Sequence, residues 1–114
     1  MKLAEVRDIL EATVVSGQDK LDVEVKGGAA SDLMSDLLRN PAEGALMLTG
    51  LNTVQVIHTA VISGMAAIVI VRGKMPNPEM IAQAQEHGLP LFSTAFNMYS
   101  SCGRLFSRGL ESIR

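Results

Sequence analysis

Apolar positions along the chain follow two alternating rhythms, one helical and one extended. Leu3, Val6, Ile9 and Leu10 share one face at helical spacing, which predicts an opening helix over Leu3 to Ala12. Thr13 to Gly17 begins with β-branched residues and breaks at Gly17, so it reads either as a short strand or as the way out of that helix. Leu21-Asp22-Val23-Glu24-Val25 alternates apolar and polar, the period of a strand with one face in water, and is expected at a sheet edge. It runs into Gly27-Gly28. Ser31 is then placed to cap a helix carrying Leu33, Met34, Leu37 and Leu38.

The same grammar repeats three more times. Ala45 to Leu48 is an apolar run ending in Thr49-Gly50, followed by a helix over Thr53 to Ser63 that stops at Gly64. Ala66 to Val71 ends at Arg72-Gly73, and Pro76-Asn77-Pro78 leads into a helix reaching His87 and Gly88. Asn77 before Pro78 is an N-cap followed by proline at the first helical position, and Gly88 suits a helix C-terminus. Leu89 to Phe92 is a further strand, Ser93-Thr94 a loop, and Asn97 the cap of a last helix. Strand starts near 45, 66 and 89 leave room for a right-handed crossover helix between parallel strands. Unbroken apolar runs are what a parallel sheet covered by helices requires. The expected fold is a single α/β domain over residues 1–114. Its sheet is short, parallel or mixed, of about four to five strands with crossover helices packed on it.

Composition narrows the function classes. The 114 residues are 47% hydrophobic and 19% charged, within the globular range and far from disorder. Only 4% are aromatic and seven are Met, so aliphatic side chains and methionine must fill the core. A formal charge of −2 argues against nucleic-acid binding, which needs a positive field. A single cysteine, Cys102, excludes an internal disulfide and a multi-cysteine metal site. Charges in the first eight residues interrupt any signal-peptide core, and the longest nearly apolar stretch, Gly64 to Val71, is too short to span a membrane. The expected location is therefore the cytoplasm, with no membrane partner.

Candidate chemistry concentrates at the expected carboxyl ends of the strands, where open α/β sheets bind ligands. Gly27, Gly28, Asp32, Thr49, Gly50, Asn52, Arg72, Gly73, Lys74, Ser93 and Thr94 are the candidate ligand-binding residues. Arg72 and Lys74 would supply positive charge, the glycines close backbone approach, and the hydroxyls hydrogen bonds. The same residues also serve as ordinary turn chemistry. Neither G-x-x-x-x-G-K-[ST] nor G-x-G-x-x-G occurs, which argues against phosphoryl transfer. Asp32 and Asp36 stand one helical turn apart, able to approach a divalent ion or simply to face solvent. His58 has no carboxylate or nucleophile at helical spacing to orient it, and His87 suits the end of its helix. Cys102 lies on an apolar stripe with Met98, Leu105 and Phe106, continuing to Leu110 and Ile113, and is read as a buried hydrophobe. That stripe is expected to pack on the domain or on a second copy.

Three segments together carry a family resemblance: Leu46-Met47-Leu48-Thr49-Gly50-Leu51-Asn52-Thr53, Val71-Arg72-Gly73-Lys74-Met75-Pro76, and Gly88-Leu89-Pro90-Leu91-Phe92-Ser93-Thr94. From about Leu3 to Leu105 the chain resembles the DRTGG domain. Related domains accompany phosphotransacetylases and the CBS modules of some pyrophosphatases, and are similar to the N-terminal domain of HPr kinase/phosphorylase. The family's Asp-Arg pair is replaced by Asn52-Thr53 and its Thr-Gly-Gly by Val71-Arg72-Gly73. Asp32 to Asp36 and Cys102 to Leu105 resemble a free-standing subgroup associated with iron-hydrogenase or other redox systems, which implies a partner protein there. The resemblance implies a non-catalytic regulatory or protein-interaction domain that forms a homodimer, with no catalytic residue, metal or cofactor. The alternative is a sensor binding a nucleotide or other anionic metabolite at the strand ends.

Overall fold

The computed structural model describes residues 1–40 and 42–113. The strands are β1 (Thr13–Ser16), β2 (Gly28–Ala30), β3 (Leu46–Thr49), β4 (Ala67–Ile70) and β5 (Leu91–Ser93). The helices are α1 (Leu3–Leu10), α2 (Met34–Arg39), α3 (Val54–Ile62), α4 (Pro78–Glu86) and α5 (Met98–Ser107). The sheet is mixed, in the order β1-β5-β4-β3-β2. β2 to β5 are parallel neighbours, and β1 closes one edge antiparallel to β5.

Every residue of β3 and β4 is buried, because helices cover both faces. Met47, Ile68, Ile70 and Leu91 face a core completed by Met34 and Leu37 of α2, Ile57 of α3 and Met80 of α4. Leu46, Leu48, Val69 and Phe92 face the opposite core, with Leu3, Val6 and Leu10 of α1 and Leu105 of α5. Alternate strand residues thus feed alternate layers, as the pleat dictates. The capping signals behave as the sequence predicts: Asn77 accepts a hydrogen bond from Met80 N (2.8 Å) and Asn97 from Ser100 N (2.8 Å).

The amino-terminal third departs from expectation. Leu21 to Val25 is not a strand of the sheet. Its carbonyls serve the start of α1: Leu3 N donates to Val23 O and Ala4 N to Leu21 O, at 2.9 and 3.0 Å. The first N–H groups of a helix have no intrahelical acceptor, and here the turn and bridge over residues 21–25 supply acceptors. The edge strands are instead Thr13–Ser16 and Gly28–Ala30. Ser31 does not cap α2: Leu33 holds the cap position, and the Ser31 hydroxyl accepts from Leu33 N at 2.9 Å.

The outer edge of β2 is covered by the chain's last residues. Gly28 N donates to Glu111 O (2.9 Å) and Ile113 N to Gly28 O (3.0 Å), a parallel bridge between Gly28 and Ser112. An unpaired edge invites pairing with another chain, and this tail blunts it. Among the described residues, no helix is long and apolar enough to cross a membrane.

Candidate functional site

Two features stand out: the joint at the carboxyl ends of the strands, and a groove beside α5. At the joint, the loop after β4 runs to α4 on one face of the sheet, while the loop after β5 runs to α5 on the other. Adjacent loops that diverge in this way usually open a ligand crevice. Here they are fastened together. Arg72 N donates to Phe96 O, Gly73 N to Thr94 O, and Ser93 Oγ to Lys74 O, each at 2.8 Å. This zip holds Arg72 and Gly73 in the left-handed region, at φ 67° and 69°. A non-glycine residue tolerates that conformation only where its surroundings fix it.

The remaining candidate side chains are largely committed to the protein. Thr94 is buried; its hydroxyl donates to Leu10 O (2.6 Å) and accepts from Phe96 N (3.3 Å), tying α1 to the β5–α5 loop. Asn52 Nδ2 donates to Met75 O at 3.0 Å. Asp32 Oδ1 accepts from Gly50 N (2.6 Å) and Thr49 Oγ1 (3.1 Å), so the ends of β2 and β3 are joined. A carboxylate therefore occupies the Gly50 N–H that the sequence offered to an anion. The Arg72 guanidinium rests against Gly50: a Cβ there would lie 2.5 Å from Nη2 and would push the guanidinium aside. Among the described residues, the side chains of Arg72 and Lys74 have no hydrogen-bond or ion-pair partner.

Three expected placements are corrected. Gly27 and Gly28 lie at the amino end of β2, not at a strand's carboxyl end, and pack against the C-terminal tail. Asp32 lies before α2 and is fastened to Gly50, whereas Asp36, in the first turn of α2, pairs with Arg39 (3.8 Å), so the two do not converge on one ion. Phe106 is not on the buried stripe: it is 67% exposed, while Leu105 and Ser101 face the core.

The groove lies on the α5 side of the sheet, between that helix, the β2 edge and the tail. It has a volume of about 500 Å3 and is lined by Ala30, Leu48, Cys102, Gly103, Leu110 and Glu111, with Tyr99 and Phe106 at its rim. Tyr99 is 90% exposed. Burial pushes the Cys102 thiol pKa upward, which keeps it protonated and a poor nucleophile at neutral pH. A second hollow of about 400 Å3 lies near Gly17, Lys20 and Gly88, where Lys20 Nζ already donates to Gly88 O at 2.7 Å.

The DRTGG domain matches residues 5–107. The chain belongs to the DRTGG domain family. No curated protein matches it. Among solved structures, this DRTGG domain is similar to the CBS and DRTGG domains of the regulatory region of Clostridium perfringens pyrophosphatase, complexed with its activator, diadenosine tetraphosphate. The TM-score is 0.76 at 14% identity, covering 91% of this chain and 45% of the other. At that identity the likeness is one of fold. Sequence reasoning flagged apolar surface on the DRTGG domain's last helix through Phe106 but missed Tyr99, which stands seven residues before it on the same helical face.

Proposed function

We propose that this DRTGG domain is a non-catalytic regulatory module that works by self-association, with the homodimer as its functional form. The observation that carries this reading is the exposure of Tyr99 and Phe106 on one face of α5 beside an apolar groove. Large apolar side chains clustered on a surface mark interaction sites, whereas scattered ones carry no such meaning. The polar groups of the strand-end joint support the same reading from the other side, since most are spent on fastening loops. Light scattering on the eluting protein across a concentration series tests it. A mass of twice 12.2 kDa at micromolar concentration is expected. A monomer persisting at the highest concentration contradicts it.

A second reading, a nucleotide or anionic-metabolite sensor, is favoured by the unpaired cations of Arg72 and Lys74 and by the nucleotide activator bound to the pyrophosphatase region. A ligand that binds only the folded state raises the melting temperature by mass action. On this reading, millimolar ATP or diadenosine tetraphosphate raises it and Arg72→Ala removes the shift. No shift with either nucleotide contradicts the reading.

A further inference from the structure

From the geometry of α5 we infer that the dimer is built by antiparallel packing of two copies of this helix, with the twofold axis passing between Cys102 and Gly103. The inference rests on the homodimer reading above and specifies its interface.

Three observations support a second copy as the occupant of this face. The first is self-complementary spacing. Tyr99 and Phe106 are equidistant from the midpoint between residues 102 and 103. A twofold axis there sets Tyr99 of each copy on Phe106 of the other and Cys102 on Gly103, as an isologous contact requires. Among the described residues, nothing lies within 4 Å of where a Gly103 Cβ would sit, so the helices can approach closely at the axis. Glycine inside a helix is disfavoured relative to alanine, so close approach offsets an otherwise unfavourable choice.

The second observation is charge. No charged side chain lies on the stripe formed by Tyr99, Cys102, Gly103 and Phe106. Arg104 is turned aside onto the Phe96 ring, 3.8 Å from its centre, and Arg108 caps the helix end. Antiparallel packing sets this basic half against the partner's uncharged Asn97–Ser101 half and opposes the two helix dipoles. Parallel packing would set each arginine near its own copy.

The third is area. With Tyr99 90% and Phe106 67% exposed, the two rings offer roughly 300 Å2 per copy. The four rings of a dimer then supply about half of the smallest standard interface, near 1,200 Å2 in total, and the groove walls lie alongside to supply the rest.

Mixing two charge variants tests the arrangement. Both positions are exposed, so Y99K and F106E should each fold with an unchanged far-UV spectrum. Each alone is expected to lower the dimer affinity at least tenfold. Antiparallel pairing of Y99K with F106E keeps one Tyr–Phe contact and places Lys opposite Glu at the other, so an equimolar mixture regains the dimer mass. If wild type is dimeric but the mixture stays monomeric, the antiparallel α5 interface is wrong and the homodimer reading survives. If wild type is itself monomeric, both fail.

Discussion

At the residue scale, the difference between an expected site and an observed one is a matter of where hydrogen bonds go. Thr94 looked like a ligand hydroxyl because it follows an apolar strand, yet its buried oxygen serves Leu10 O and Phe96 N. Losing a buried hydrogen bond and leaving its partners unsatisfied costs about 1–3 kcal/mol. Thr94→Val is therefore expected to lower the melting temperature by roughly 4–24 °C, given about 4–8 °C per kcal/mol for a small domain. Ser101 gives the contrast. Among the described residues its buried hydroxyl has no partner, so Ser101→Ala is expected to leave the melting temperature unchanged or raise it. Thermal melts of the two variants side by side check both. Similar losses in the two would contradict the assignment.

At the element scale, the periodic segments were legible and the edges were not. β3, β4, α3 and α4 lie where apolar runs, Asn77-Pro78 and Gly64 place them, because burial on both faces leaves one workable pattern. Leu21 to Val25 has the alternation of a strand, but its backbone pairs with the start of α1, a non-local choice that local period cannot reveal. The β2 edge was hidden for the same reason, since its partner is the tail over eighty residues away in sequence. That tail can be tested at Gly27, where a Cβ would lie 2.9 Å from Ile113 Cα and 3.1 Å from Glu111 O. Backbone cannot yield as a side-chain tip can. Gly27→Ala is expected to cost about 1–3 kcal/mol and to speed amide exchange at Gly28 and Ile113. An unchanged melting temperature would mean that the tail does not hold the edge.

At the scale of the whole molecule, sequence supplied the α/β architecture and the DRTGG resemblance, and read the strand ends as a ligand site. Glycines, hydroxyls and cations at strand ends were read as groups awaiting a ligand. The structure uses most of them to fasten neighbouring loops to one another, leaving Arg72 and Lys74 unpaired there among the described residues. Among the described residues, two exposed aromatics stand on the outer face of α5, a stripe too short to register as periodicity. Association through that face is the central claim, and hydrogen exchange followed as the protein is diluted tests it most directly. The account predicts that dilution speeds exchange in residues 98–107 and at the β2 edge, and leaves the loops at 49–53 and 72–76 unchanged. Dilution-dependent exchange confined to those loops, or absent throughout, would contradict it.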